Sequence, residues 1–476
     1  MTRRKRSRRF AAAGFCASLS AAPAMAQPSP PEPDQRQPPT AGPTADGQAQ
    51  AEEGIWTRSN LLGDLDGLRP KLAQHGLTFG LEDVNEVYAN PTGGVHRGAT
   101  YGGLTLMELG IDTEKGFGLP GGTFNISALQ IRGRNISEDN LHNLQTISES
   151  AAEPATRLWE LWYQQSFLDD RLDIKVGQQS VELEFMLSSS ANTFINSAMG
   201  WPALTALNLY AGGPAYPLSS LGVRFRARPT DAITVLAGVF DDNPPGGPFD
   251  DDSQVRGAEQ SGTKFNLNTG ALFIGEIQYV ATLPGDLPGT YKFGGWYDSG
   301  AFPDPRFDNA GFSLADPNGT GTPRMHRGNY GFYGMVDQTV FSPKATPTLT
   351  LFARLTGGPG DRNLVDFSAD GGVTVKGPLP GREGDTFGAG FGIVHISPSA
   401  RGFDKDVAFF TSGLFPVRTA ESFIEVTYQF AAAPWLTLQP DFQYVFNTGG
   451  GIPNPSNPSQ RVGNAAVFGF RTDIVF

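Results

Sequence analysis

The chain has 476 residues, a length that ordinarily implies two or three compact domains. Hydrophobic residues make up only 39%, while Gly (60 residues) and Phe (34 residues) are abundant. The formal net charge of −12 argues against nucleic-acid binding, and the single cysteine, Cys16, excludes a disulfide scaffold. This composition favours many strands joined by turns over a helical bundle.

The first 26 residues have the pattern of a secretory signal peptide. Six basic residues lie within positions 3–9, an apolar stretch occupies positions 10–22, and the Ala-Met-Ala sequence at 24–26 provides a cleavage site between small residues. We therefore expect residues 1–26 to be removed after export, which leaves a mature chain without cysteine.

Two short segments precede the main body of the chain. Residues 27–54 are rich in Pro, Gln, Ala and acidic residues, which is the composition of a disordered or extended linker. In residues 55–76, five leucines recur at helical spacing and Gly76 marks a C-terminal stop. This second segment is expected to be a short helical element on the periplasmic side.

From Leu77 onward the hydrophobic pattern has a period of two, which indicates β-strands. In residues 221–228, one face carries Leu, Val, Phe and Ala, and the other carries three arginines. Residues 122–134 also alternate, with a phase slip near Ala128 that suggests a bulge. After the N-terminus, no apolar run approaches the roughly 18 residues of a membrane-spanning helix.

Three features favour a membrane barrel over a soluble β-sandwich, which would also alternate. Tight turns at 169–170 and 229–230 contrast with long Gly- and Pro-rich connections at 241–263 and 299–327. The chain closes on an alternating strand that ends in Phe476. Aromatic residues at strand ends suit interfacial girdles: Trp159, Tyr163, Phe167, Tyr291, Trp296, Tyr297, Phe341, Trp435 and Phe446.

Residues 77–476 are therefore expected to form an all-β fold, a transmembrane antiparallel β-barrel of about 16 strands with both termini in the periplasm. Roughly fifteen strands can be recognised, so another is expected in 181–215 or 400–415. Residues 185–215 lack both alternation and a polar loop composition. They are the candidate for a non-barrel insertion into the lumen.

Four long blocks, at 61–79, 121–137, 157–180 and 212–244, resemble the OprB-type carbohydrate-selective porin family in order along the chain. The resemblance implies a 16-stranded barrel in the outer membrane of a Gram-negative bacterium, in contact with lipopolysaccharide, and it allows a homotrimer. It also implies passive diffusion of small sugars, chiefly monosaccharides and similar small polar solutes, into the periplasm. The Pro-rich extension at 27–54 is not a general feature of the family.

Seven residues are candidates for lining the pore, because charged groups can bond pairs of sugar hydroxyls and an aromatic face can support a sugar ring. For any single arginine, a structural or merely solvated role is the stronger interpretation, since porin lumens are polar throughout. The candidates are Arg132, Arg134, Glu160, Trp162, Arg224, Arg226 and Arg228.

Two alternatives stay open at this point. The arginines of 224–228 permit an anion porin or a general small-solute porin, and an exported soluble β-protein that binds carbohydrate is less favoured. No catalytic pattern is present, because the five histidines are scattered and there is no nucleophile elbow or phosphate loop. We expect no enzyme activity, no cofactor, no metal and no nucleic-acid partner.

Overall fold

The computed structural model describes residues 54–245, 260–343, 346–413 and 415–476. The expected signal peptide, 1–26, and all but the last residue of the expected linker, 27–54, lie outside the described residues. The chain from residue 54 is dominated by long antiparallel strands whose residues alternate between two faces. Its fold is therefore set by how these strands pair.

Sixteen strands form one closed antiparallel barrel, as the sequence predicted. Each strand pairs with its neighbours along the chain, and the first strand closes the barrel on the last. The barrel strands are β1 (Leu77–Gly94), β2 (Gly98–Asp112), β3 (Gly122–Gly133), β4 (Ala155–Phe167), β5 (Leu172–Gln179), β6 (Ser220–Thr230), β7 (Ile233–Asp241), β8 (Ala271–Leu283), β9 (Leu287–Asp308), β10 (Pro323–Phe341), β11 (Thr348–Gly357), β12 (Val365–Lys376), β13 (Thr386–Ile396), β14 (Ala420–Ala433), β15 (Leu436–Phe446) and β18 (Gly463–Val475).

The connections follow the expected pattern of short turns at one end and long loops at the other. The end with both chain ends of the barrel has turns as short as 231–232 and 434–435. The opposite end carries the connections 180–219 and 397–419. We refer to these as the periplasmic and extracellular ends, because outer-membrane barrels place short turns in the periplasm.

Helices and a small hairpin lie outside the barrel wall. The expectation of a strand in 181–215 or 400–415 is wrong, because the described residues of both segments form helices and turns in extracellular loops. The helices are α1 (Leu68–Gln74), α2 (Thr113–Phe117), α3 (Ser197–Gly200), α4 (Ala203–Asn208), α5 (Pro398–Phe410) and α6 (Thr448–Gly451), and the hairpin is β16 (Pro453–Asn454) with β17 (Asn457–Arg461). None of the described helices has the length and apolar character needed to cross a membrane.

The two faces of the wall differ in chemistry, because successive side chains of a strand point to opposite sides. On β6, Phe225 is 47% exposed on the outside, whereas Arg224 is only 1% exposed on the inside. Three of the aromatic residues expected in the girdles, Trp159, Trp296 and Trp435, are buried instead. The phase slip near Ala128 corresponds to a bulge at Trp159 on the facing strand β4.

The N-terminal segment is helical over a shorter range than the leucine spacing predicted. Only α1 forms a helix, and the preceding residues form turns. The Leu61 N–H donates to the carbonyl of Val475 at 2.8 Å. Trp56 stacks on Trp435 with ring centroids 6.1 Å apart. These contacts hold the segment against the periplasmic rim, next to the seam between β1 and β18.

Candidate functional site

The long connection 180–219 between β5 and β6 folds into the barrel and fills much of its lumen. It contains α3, α4 and three single-turn 3-10 helices, and its apolar side chains are almost all buried. Phe185, Phe194 and Leu204, for example, are at most 1% exposed. This confirms the sequence-based expectation that residues 185–215 insert into the lumen.

Carboxylates of the barrel wall hold this inward segment by its backbone. Glu276 on β8 accepts a hydrogen bond from the Met186 N–H at 2.9 Å. Glu425 on β14 accepts one from the Ile195 N–H at 2.6 Å. A buried N–H needs an acceptor to offset its lost hydration, and a charged acceptor makes a stronger bond than a neutral one. The two attachments therefore fix the segment across the width of the barrel.

Arg354 on β11 binds the same segment through its carbonyl groups. Its guanidinium is 1% exposed and donates to the carbonyls of Met186 at 2.9 Å, Gly200 at 2.8 Å and Met199 at 3.0 Å, and also to that of Ala198. Its Nε donates to a carboxylate oxygen of the neighbouring strand, on Asp370, at 3.0 Å. One side chain thus satisfies three carbonyls of α3 and that of Met186, which lies earlier in the inward segment.

A second loop, 134–154 between β3 and β4, also enters the lumen. Glu421 on β14 accepts from the backbone N–H groups of Leu144 and Gln145, at 2.9 and 2.8 Å. Arg471 on the last strand forms an ion pair with Glu149 of this loop at 3.2 Å. The two inward loops are joined to one another, because the Glu149 N–H donates to a carbonyl of the 180–219 segment at 2.9 Å.

A buried ionic network lies where the 180–219 segment leaves the wall. Arg224 pairs with Asp173 and, at 3.0 Å, with Glu184 of the inward segment. Lys175 also pairs with Glu184, and Arg226 contacts Asp173 at 2.6 Å. Burial raises the pKa of Glu184, but the charges of Lys175 and Arg224 outweigh this and lower it to about 2. The network therefore joins the inward segment to β5 and β6 through charged groups.

Glu160 and Trp162 lie beside this network, on the lumen face of β4. The Trp162 indole N–H donates to Glu160 at 3.2 Å, and the ammonium of Lys175 lies 4.2 Å from the Trp162 ring centroid. Glu160 also accepts from the Ser180 N–H at 2.9 Å. Four of the seven candidates, Glu160, Trp162, Arg224 and Arg226, are thus brought together, but their polar atoms are already engaged. Glu160 and Trp162 bond each other, while Arg224 and Arg226 both bond Asp173 of β5.

The other three candidates lie elsewhere. Arg132 is on the outer face of β3, where it pairs with Asp83 at 2.8 Å, so its expected position in the lumen is wrong. Arg134 follows the end of β3 and forms an exposed ion pair with Asp139 at 2.8 Å at the extracellular rim. Arg228 is near the periplasmic end of β6, where its N–H bonds to the carbonyl of Arg171 at 2.8 Å.

The inward direction of the apolar side chains of β3 has a physical cause. Leu129 and Ile131 point inward and pack with the bulged Trp159 and with Tyr216 of the inward segment. The loops that fill the lumen therefore give this part of the wall an apolar interior. The usual assignment of apolar side chains to the lipid face fails here.

An open cavity of about 940 Å³ remains between the inward loops and the wall. Its lining runs from Ala431 and Gly384 near the periplasmic turns to Asn135 and Asn143 in the 134–154 loop. The aromatic residues in this lining are Trp159, Trp201 and Tyr216, and the charged ones are Glu82, Glu138, Glu149, Glu153, Glu182, Asp473 and Arg471. Among the described residues, the lining thus carries six carboxylates and one guanidinium. None of the seven sequence candidates belongs to it.

Residues 96–476 match the family model described as carbohydrate-selective porin, OprB family. The chain belongs to this family. It is 28% identical over 438 residues to Porin B of Pseudomonas aeruginosa, a match that covers 87% of this chain and 91% of that protein. This membership identifies an outer-membrane porin for carbohydrates, a channel protein rather than an enzyme.

Two solved structures of OprB from Pseudomonas putida share the fold. The high-pH structure gives a TM-score of 0.77 at 24% identity and covers 89% of this chain and 100% of that chain. The low-pH structure gives 0.53 at 19% identity, with coverages of 88% and 99%. At these identities the likeness shows the 16-stranded barrel architecture alone.

Several residues of the porin's lumen were missed by the sequence analysis. Arg354 and Arg471 are each the lone arginine of an alternating strand. This pattern indicates a position in the lumen, but it does not indicate which group the side chain binds. Trp201 and Glu182 lie in a loop without periodicity, so no pattern could assign them. Across the described residues, no group of three or more His, Cys, Asp or Glu side chains is arranged to hold a metal ion.

Proposed function

We propose that the cavity beside the inward loops is the diffusion path for neutral monosaccharides and similar small polar solutes entering the periplasm. The observation that carries this proposal is the composition of its lining, which combines indole and phenol rings with carboxylates and one guanidinium. Sugar rings stack their apolar faces on aromatic side chains, and their hydroxyl pairs bond carboxylate and guanidinium groups. No energy source is required, because the solute moves down its concentration gradient.

The charge of the lining favours neutral solutes over anions. Six carboxylates against one guanidinium create a negative potential in a narrow space with low-dielectric walls, which repels anions. The arginines at 224–228, on which the alternative of an anion porin rested, do not line this cavity. The charges of Arg224 and Arg226 are neutralised by Asp173 and Glu184. We therefore prefer the sugar channel to the anion porin.

Swelling of liposomes that contain the purified porin tests this choice. Glucose should enter faster than gluconate, which has a similar size and a negative charge, and faster than a neutral amino acid. A reversal potential in a salt gradient should show preference for potassium over chloride. Equal rates for glucose and gluconate, together with chloride preference, would instead support the anion porin.

The remaining parts of the proposal concern processing and surroundings. We propose that residues 1–26 are cleaved during export, so that sequencing of the purified protein should begin at Gln27. An N-terminus at residue 1 would contradict this. We also propose that the barrel lies among lipopolysaccharide molecules and assembles with further copies of itself, as a homotrimer.

A further inference from the structure

Three aspartates are buried together at the extracellular end of β7, β8 and β9. Asp241 ends β7, Asp242 follows it, and Asp298 lies on β9 opposite Leu272, the second residue of β8. The three aspartates are 6%, 2% and 1% exposed, respectively. None of them lines the cavity proposed as the sugar path, so the cluster is independent of the function proposed above.

The carboxyl groups of Asp242 and Asp298 meet in a space that two glycines leave open. Asp242 Oδ2 and Asp298 Oδ1 lie 2.7 and 3.0 Å from the point that a Cβ of Gly300 would occupy. A Cβ at Gly270 would come closer still to Asp242 Oδ2. Any other residue at these two positions would therefore displace the carboxylates.

Apolar side chains close this space on its periplasmic side. Phe240 and Trp296 precede Asp242 and Asp298 by two residues, the repeat of a strand, so they lie on the same inward face. Both aromatic residues are buried. The carboxylates are therefore cut off from water on this side and can be reached only from the extracellular loops.

The hydrogen-bond donors around the three carboxylates are few and uncharged. The Thr269 hydroxyl donates to Asp242 at 2.5 Å, and the Gly300 N–H donates to Asp298 at 2.8 Å. Asp241 accepts one backbone N–H at 3.1 Å. Asp242 Oδ2, which points toward Asp298, has no donor, and neither has Asp241 Oδ2. Within the described parts of the chain, none of the three aspartates forms an ion pair.

This arrangement favours a cation with oxygen ligands. A buried carboxylate without a charged partner is unfavourable, and two neighbouring carboxylates also repel each other. Ca²⁺ accepts irregular sets of carboxylate, carbonyl and water oxygens at about 2.3–2.6 Å, whereas Mg²⁺ requires a nearly octahedral set. Zinc and similar metals prefer imidazole or thiolate ligands, and the chain has no His or Cys between residues 240 and 300.

We propose that Asp242 and Asp298 bind a Ca²⁺ ion at the extracellular end of the barrel. Because the described carboxylates are not arranged in a group of three around one point, Asp241 contributes its charge, and water and neutral oxygens complete the ligand set. Asp242 begins the connection 242–270 and Thr269 lies near its end. The ion therefore fixes the base of this connection to β9.

Calorimetric titration of the mature porin with CaCl₂ tests the inference. The porin is refolded in detergent without lipopolysaccharide, because the phosphates of lipopolysaccharide also bind Ca²⁺, and a chelator then removes residual metal. We expect one Ca²⁺ per chain with a Kd of about 10⁻⁴–10⁻³ M, the range of extracellular Ca²⁺ sites. Ca²⁺ should also raise the thermal unfolding temperature.

Asp242→Asn and Asp298→Asn each keep the shape of the side chain and remove its charge. Both variants should lose Ca²⁺ binding, while their glucose-driven swelling equals that of the unaltered porin and shows that they fold. Without Ca²⁺ they should unfold at a higher temperature than the unaltered porin, because the repulsion between the carboxylates is gone. Asp361→Asn is the matched control, since Asp361 is 51% exposed between β11 and β12 and pairs with Arg362; its Ca²⁺ binding should be unchanged.

Three results would overturn the inference. The first is no binding at about 10⁻² M Ca²⁺, ten-fold above the expected range, and the second is equal binding in Asp298→Asn. The third is an unfolding temperature of the unaltered porin that ignores Ca²⁺ but falls as the pH rises, because a proton shared between the carboxyl groups would then take the place of the cation. Equal affinity for Mg²⁺ would overturn Ca²⁺ as the ion.

Discussion

Replacement of Arg354 by methionine should loosen the inward segment while leaving the barrel closed. Methionine keeps much of the length and apolar surface of arginine but removes every donor. Four carbonyls of the segment would lose their partner, and Asp370 would lose its ion pair. The ladders between β11 and its neighbours depend on backbone groups, so the substitution should leave them intact.

The size of the effect can be worked out from these contacts. Breaking a buried ion pair by removing one partner costs about 3–5 kcal/mol. Single hydrogen bonds to a charged donor contribute about 1.5–3 kcal/mol, and water from the lumen can replace part of this loss. A net loss of about 3–5 kcal/mol shifts the balance between the docked and displaced segment by about two to four orders of magnitude.

Single-channel recording in planar bilayers measures the consequence. Arg354→Met should give a larger or strongly fluctuating conductance, and a disaccharide should enter liposomes nearly as fast as glucose. Arg134→Met is the matched control, because Arg134 is 66% exposed and exposed ion pairs contribute about 0–1 kcal/mol. A wild-type conductance in Arg354→Met, with an unchanged dependence of influx on sugar size, would refute the role of this residue in holding the inward segment.

Two other predictions concern charged groups of the inward loops. The pKa of Glu184 is lowered to about 2 despite burial, because Lys175 and Arg224 stabilise its charge, while an unfolded Glu titrates near about 4.3. The stabilisation of the folded porin by Glu184 is therefore present above about pH 4.3 and is lost as the pH falls toward 2. Glu184→Gln should flatten the dependence of the thermal unfolding temperature on pH between these two values. An unchanged profile would contradict this. Glu138→Gln with Glu153→Gln should reduce the preference for potassium over chloride and raise gluconate influx, and an unchanged reversal potential would count against these groups as part of the path.

Much of the fold could be predicted from local pattern. Alternation in residues 221–228 placed Phe225 outside and Arg224 inside, and the structure confirms both positions. The closing strand β18, which ends at Val475 just before Phe476, pairs with β1 as a barrel requires. These features depend only on the period of two and on which side of the wall faces lipid, so they can be predicted from the sequence pattern.

The site was harder to predict, because its geometry depends on loops that fold back into the lumen. Leu129 and Ile131 are apolar yet face inward, since the 180–219 segment and the bulged Trp159 cover them. Arg132 was assigned to the wrong face for the same reason. The partners of Arg354 lie more than 150 residues away in a segment without periodicity, and no local pattern indicates such a contact.

Liposome swelling with glucose and gluconate measures whether the cavity beside the inward loops carries neutral sugars. Glucose influx should be fast and gluconate influx slow, and the difference between the two should be smaller in Glu138→Gln with Glu153→Gln. Gluconate influx equal to or faster than that of glucose in the unaltered porin would contradict it.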